Sequence, residues 1–310
     1  MVASGGMEPG VSVVVPVYNS EGSLPELIDR LEKVLGGGAH EAVLVNDGSR
    51  DGSWAVVQRL AGERRWVRGI NLMRNYGQHN ALLCGIRAAR YDTIVTMDDD
   101  LQHPPEEVPR LLKELGDHDV VYGTPEREPH GFWRGLASRL TKIALKSAMG
   151  AQTARSVSAF RTFRTRLRDA FVDYGSPHVS IDVLLTWGAS RFGSLRVRHE
   201  PRSIGASNYT FGKLLTHAVN MMTGFTTVPL RLASVVGLAF SLFGLVVLAY
   251  VVGRYFIQGG SVPGFPFLAC TIAIFAGVQL FALGIMGEYL ARIHFRQMGR
   301  PAYAVETTTD

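Results

Sequence analysis

The residues of this chain best equipped for chemistry form one acidic run, Asp98-Asp99-Asp100-Leu101-Gln102, which closes the apolar stretch TIVTM. Carboxylates at the end of a buried strand are costly unless cations or hydrogen-bond donors compensate them. A divalent cation fits. Hard oxygen ligands suit Mg²⁺ or Mn²⁺, which bridge a diphosphate and neutralise the charge that develops on a departing nucleotide. Asp100 and Gln102 are the expected protein ligands. Two further segments pass from apolar to polar in the same way, Pro16-Val17-Tyr18-Asn19-Ser20-Glu21 and Asn46-Asp47-Gly48-Ser49. A carboxylate at a strand end can accept bonds from a nucleobase or ribose, and the Tyr18 ring offers a stacking face. Taken alone, Asp47-Gly48-Ser49 reads as a turn and helix cap; its company gives it chemical meaning.

Such groups act together only if the strands that carry them end at one place. From Val11 to about Val121, short apolar runs (VSVVVPV, EAVLVND, GINL, TIVTMDDD) alternate with helix-like stretches (LPELIDRLEKVL, WAVVQRLAGE, NALLCGIRAAR, VPRLLKEL). This βαβαβ series predicts an α/β fold with a mostly parallel sheet covered by helices and ligands at the carboxyl ends of its strands. The nine histidines show no H-x-x-x-H spacing, and His79 reads as a polar packing residue rather than a base. Two cysteines, Cys84 and Cys270, support neither a disulfide framework nor a thiolate metal cluster. Residues 1–10 are small and polar, expected to be disordered, and lack the basic start and apolar core of a signal peptide.

After Pro229 the composition changes. Leu232–Val252 and Phe265–Gly287 are uncharged runs of about the twenty residues a bilayer-crossing helix needs, joined by the turn-rich GRYFIQGGSVPG. They predict a helical hairpin within residues 230–290. Arg231 precedes it and Arg292, Arg296 and Arg300 follow it, whereas the link carries Arg254 alone, so the positive-inside rule puts both chain ends in the cytosol. Tyr250, Tyr255, Phe256 and Tyr289 sit near the span ends, where amphipathic rings favour the headgroup level. Residues 211–229 are read as an amphipathic juxtamembrane helix and residues 291–310 as a cytoplasmic tail. The net charge of +5 suits anionic partners in general. The bilayer is the expected one, and no nucleic-acid partner is expected. A two-helix hairpin leaves membrane surface to pack, which favours a homo-oligomer.

The PVYN motif with Glu21, NDGSRDGS, the Asp-x-Asp with LQHPPEE, and RSIGASNY resemble, in that order, the family 2 glycosyltransferases of the dolichol-phosphate mannose synthase type. MRNYGQHN, PLRLAS and GEYLARIHFR are closest to the bacterial polyprenyl-phosphate transferases, of the undecaprenyl-phosphate glucosyl and 4-deoxy-4-formamido-arabinose kind. The resemblance implies a GT-A catalytic domain over residues 11–210 and an inverting transfer of a sugar from a nucleotide diphosphate to polyprenyl phosphate, at the bacterial plasma membrane, for cell-envelope glycan or lipid modification. The bacterial branch points to uridine as the base, with guanosine as the alternative. Carried over by position, it makes Pro16, Tyr18, Asn19, Glu21 and Asp47 nucleotide contacts, Asp98 and Asp99 donor-site residues, and Asp100 with Gln102 the metal ligands. Arg202, Ser207 and Tyr209 fall in the family's R-x-x-G-x-S-x-Y loop, which borders the active site, and Arg127 and Arg161 join them as candidates for the acceptor phosphate. With Asp98 and Asp100, Arg202 is read as catalytic.

Two departures stand in that loop region: Ala206 replaces the usual Glu, and the spacing after Gly123 differs. A third concerns the general base. The mannose-synthase branch carries an Asp where this chain has Ala159. A phosphate monoester, with a second pKa near 6, is largely dianionic at neutral pH and needs no base, whereas a sugar hydroxyl would. The missing carboxylate therefore favours a lipid phosphate as nucleophile. Two other readings compete, a processive polysaccharide synthase and a non-catalytic scaffold or flippase partner. Two spans make a poor polymer conduit and Q-x-x-R-W is absent; the intact Asp98-x-Asp100 and the Arg202 loop speak against the second.

Overall fold

The computed structural model describes residues 7–125, 156–177, 179–200, 227–258 and 264–309. Arg127 and the loop holding Arg202, Ser207 and Tyr209 lie outside the described residues, as do residues 211–226 of the expected juxtamembrane helix.

The βαβ reading of the sequence is what forms. Strands β1 (Glu8–Val17), β2 (His40–Asn46), β3 (Val67–Leu72) and β4 (Tyr91–Thr96) alternate with helices α1 (Leu24–Leu35), α2 (Ser53–Glu63) and α3 (Gln78–Ala88). Then come α4 (Val108–Leu115), β5 (Val120–Pro125), β6 (Arg161–Arg164), the short α5 (Ile181–Leu185) and β7 (Phe192–Val197). A final strand, β8 (Val305–Thr308), follows two long helices, α6 (Val228–Gln258) and α7 (Phe265–Gln297). One eight-stranded sheet results, in the order β7-β5-β6-β4-β1-β2-β3-β8. β1 pairs in parallel with both β2 and β4, which is where the direction of winding reverses.

The apolar runs explain why these strands are central. Val13, Val14, Val15 and Val17 of β1 are all fully buried, each contributing roughly 1.5–3 kcal/mol relative to exposure. Their alternation sends Val13, Val15 and Val17 to the layer of α1, α2 and α4, and Val14 to the layer of α3. A side chain at Gly85 of α3 would come within 2.4 Å of Val14 Cγ1, so a glycine lets this helix press onto β1 and β2.

Four strands were not anticipated from the sequence, β5, β6, β7 and β8; β5 and β7 pair in parallel at one edge of the sheet. β6 runs antiparallel between β4 and β5. β8 closes the other side, antiparallel to β3, with Thr309 Oγ1 accepting from Gly69 N–H at 2.8 Å and Asn71 donating to Glu306 at 2.7 Å. Residues 291–310, read as a cytoplasmic tail, thus begin inside α7 and end in the sheet.

Helices α6 and α7 hold 31 and 33 residues, about 46 and 50 Å of helix, more than the ~30 Å of a hydrocarbon core. They are long and apolar enough to cross a membrane, and their apolar windows are not buried within the chain. They pack on each other, with Phe240 edge-on to Phe275 at 5.9 Å and Gly244 facing the same ring.

Candidate active site

Parallel register brings the strand ends together. Val17 of β1 stands opposite Asn46 of β2, and Val14 opposite Thr96 of β4, so Tyr18, Asp47 and Asp98 leave the sheet side by side. With Pro16, Asn75, Asp99 and Asp100 they line one open cleft.

The loops around this cleft are bound to one another by their polar side chains. Asp47 is buried, and its two carboxylate oxygens accept the Tyr76 and Gly77 N–H groups at 2.7 and 2.8 Å. Burial pushes its carboxyl above the ordinary range, against those two bonds and the nearby Arg74 charge. Gly48 has φ +63°, and a side chain there would meet Asn75 N at 2.5 Å, so glycine is what lets the loop after β2 pass beneath the loop after β3. Asp99 accepts Tyr18 N–H at 3.1 Å and the Ser20 hydroxyl, which holds the PVYNS turn over the end of β4. Burial raises the Asp99 carboxyl too, and the Asp100 charge adds to the effect.

Asn19 and Glu21 belong to the same web but not to the cleft lining. Asn19, in the left-handed region at φ 55°, accepts Arg50 N–H at 2.8 Å and donates its own N–H to Ser49 Oγ at 3.0 Å. Glu21 accepts Gly52 N–H at 2.8 Å. Both join the β1 and β2 loops and fix the shape of the turns beside the cleft.

Asp98 takes a 2.6 Å hydrogen bond from Gln78 Nε2, and Asp100 Oδ1 accepts Gln102 N–H at 3.1 Å. Leu101, at φ 60°, makes that tight turn. Among the described residues no three His, Cys, Asp or Glu side chains form a metal cage. The donors present still fit a cation that arrives with its nucleotide, because Mg²⁺ is commonly held by one or two carboxylates plus substrate phosphates. Asp98 and Asp100 bring two carboxylates to the cleft, and Gln102, half-buried, is tied to Asp100 through its backbone.

Arg161 is corrected by the structure. It is fully buried in β6, paired with Asp182 of α5, and donates from Nε to Thr96 Oγ1 at 3.0 Å. Tyr122 completes the cluster with a 3.2 Å bond to Asp182. Burial works against the guanidinium charge, but Asp182, Tyr122 and Asp98 together outweigh it. Arg161 therefore serves as an internal counter-ion behind the acidic strand end and does not line the cleft. Arg164 donates to the Gly116 carbonyl at 3.2 Å. Ala159 puts no carboxylate at the cleft, and its carbonyl accepts from Thr96 Oγ1 at 2.8 Å.

Sequence reasoning missed Ser20, Asn75 and Gln78, whose roles appear only when separate loops meet. It also missed His103, stacked on Phe160 at 5.2 Å and edge-on to His199 at 5.3 Å. Together with Glu200 N–H donating to the Gln102 carbonyl at 2.9 Å, this fastens the acidic turn to the chain entering the Arg202 loop.

The model of glycosyl transferase family 2 matches residues 12–175. The chain is 37% identical over 303 residues to the undecaprenyl-phosphate 4-deoxy-4-formamido-L-arabinose transferase of Pseudomonas paraeruginosa, covering 96% of this chain and 89% of the relative. The protein of the same name from Proteus mirabilis is 36% identical over 302 residues, covering 96% and 93%. Among solved structures, glucosyl-3-phosphoglycerate synthase from Mycobacterium tuberculosis, in complex with Mn²⁺, uridine diphosphate and phosphoglyceric acid, aligns with a TM-score of 0.53 at 17% identity, over 70% of this chain and 77% of that one. That likeness speaks for the fold.

Proposed function

Because this chain belongs to glycosyl transferase family 2, we propose that it moves a glycosyl group, with inversion, from a uridine-diphosphate sugar to undecaprenyl phosphate. The observation that carries this reading is the set of carboxylates, Asp47 and Asp98 to Asp100, lining one cleft at the point where the winding of the sheet reverses. In it, Tyr18 stacks on the base, Asp47 meets the nucleoside, and Asp98 and Asp99 bind the donor. Asp100 and Gln102 would hold a Mg²⁺ or Mn²⁺ ion, which would offset the diphosphate charge as the nucleotide leaves. The acceptor phosphate, already dianionic near neutral pH, attacks without a base, in keeping with Ala159. Arg127, Arg202, Ser207 and Tyr209 are assigned to that phosphate by resemblance alone.

The hairpin fits the same reading. Residues 11–210 supply the catalytic unit, to whose sheet β8 adds a last strand, α6 and α7 span the plasma membrane, and the return of the chain through β8 supports a hairpin with both ends on the cytoplasmic side. The relatives' names make a 4-deoxy-4-formamido-L-arabinose donor the first to try. The test is incubation of detergent-purified protein with Mn²⁺, undecaprenyl phosphate and a panel of UDP- and GDP-sugars, read by mass spectrometry. A lipid-linked sugar from one donor is expected; transfer to sugar alcohols with none to undecaprenyl phosphate would overturn the proposal.

A further inference from the structure

A second cleft, of ≈ 420 Å³, opens beside the first and shares Asn75 with it. Its walls come from two stretches far apart in sequence, Arg74 to Tyr76 after β3 and Arg300 to Ala302 after α7, with Asn80 and Pro177 at its back. Both stretches are fixed. Met73 N–H donates to the Ala304 carbonyl at 3.0 Å, Ala302 is buried, and the Arg87 guanidinium lies 5.8 Å from the Tyr303 ring. Arg74 is laid over the Tyr76 ring at 4.5 Å. Two arginines, Arg74 and Arg300, thus line the cleft on an anchored backbone. Asp47 is the carboxylate whose charge Arg74 feels, and it sits behind the loop with both oxygens taken by Tyr76 and Gly77 N–H.

Its position says which anion it serves. Arg300 stands three residues past Gln297, the end of α7, within about 11 Å of that helix end along the chain. Arg300, Pro301 and Ala302 line the same cleft as Asn80 and Pro177, so the chain leaving α7 lies against this side of the catalytic unit. A phosphate carried on a lipid stays at the level of the headgroups, and this cleft, lined by two arginines, lies near the end of α7 and shares Asn75 with the donor cleft.

We propose that Arg74 and Arg300 receive the phosphate head of the polyprenyl acceptor, holding it at the membrane end of the donor cleft while the prenyl chain remains in the bilayer beside α7. This rests on the reaction proposed above and adds the lipid's place of entry. The recognised chemistry is a phosphoryl group, which three sources could offer: the prenyl phosphate, a bulk anionic phospholipid or the nucleotide diphosphate. The geometry favours the first, because charge-assisted bonds from two forked guanidinium groups match a terminal phosphate better than the phosphodiester of an ordinary lipid.

The test compares wild type with Arg300→Gln, Arg74→Gln and the charge-preserving Arg300→Lys, in detergent and in vesicles with and without phosphatidylglycerol. Initial rates are read against undecaprenyl phosphate, and UDP binding by calorimetry. Loss of one charge-assisted contact predicts a roughly tenfold to hundredfold higher KM for undecaprenyl phosphate. UDP affinity should stay at the wild-type value in Arg300→Gln, and Arg300→Lys should recover part of the loss. A weakened UDP affinity in Arg300→Gln assigns the cleft to the nucleotide and overturns the proposal. So does an unaltered KM, or a loss confined to phosphatidylglycerol-containing vesicles. If the wild type transfers to no prenyl phosphate at all, the proposed reaction fails; if it transfers and the variants keep its KM, the entry site alone fails.

Discussion

Gln78 donates from Nε2 to Oδ1 of Asp98 at 2.6 Å, joining the first turn of α3 to the acidic end of β4. The bond fixes one carboxylate of the cleft from a neighbouring element, so that Asp98 need not be ordered anew each time a donor binds. Gln78→Ala should lower kcat/KM for the donor by about tenfold to a hundredfold, the usual cost of losing an outer partner to a functional carboxylate. Gln78→Glu should be worse, because it places like charges together. Steady-state rates over a Mn²⁺ titration check this.

Asp100→Asn keeps volume and removes charge. Metal-dependent transfer should fall by more than about a hundredfold, while circular dichroism and thermal melting in detergent remain near wild type. Full activity in this variant would place the metal elsewhere.

Asp182→Ala strands the buried Arg161 guanidinium without its main counter-ion. Breaking such a pair from one side costs roughly 3–5 kcal/mol, so a large drop in melting temperature is expected. Replacing both residues by apolar ones of similar volume should recover much of it. Equal stability of the single and double variants would contradict the internal counter-ion role.

Asp119 gives a pH signature. Hydrogen bonding and charge from Arg191, with the Arg191 and Ser190 N–H groups, hold its carboxyl down to about 2. A depressed folded-state pKa contributes stability that is present above the ordinary carboxylate range and is lost as pH falls through the folded value. The stability gap between wild type and Asp119→Asn should therefore be constant above about pH 5 and close progressively toward pH 2. Melting temperatures across that range would show it; a gap that widens in acid would be inconsistent with the pairing.

The parts of the fold legible in the sequence were those with continuous apolar runs. β1, β2 and β4 announce themselves as strands buried on both faces, and α6 and α7 as apolar helices long enough to cross a membrane although exposed in the chain itself. β6 did not, because Arg161 and Arg164 make a four-residue segment look like solvated charge, although one of those charges is neutralised deep in the protein. β8 reads as polar and Thr-rich because it is an exposed edge strand, and its hydrogen bonds to β3 leave no trace in hydropathy. The carboxylates of the site were legible from their place at strand ends. The bonds that hold them, from Ser20 to Asp99 and from Gln78 to Asp98, were not, since each spans tens of residues and involves a residue type common on any surface.

The position of β8 after the hairpin also sets an order of events during biosynthesis. The ribosome delivers α6 and α7 before the strand that covers the open edge of β3, so the sheet cannot be finished until the hairpin has left the exit tunnel. Until then the β3 edge is bare, a surface prone to non-native pairing. The last strand of the sheet is therefore added only after the hairpin has been made.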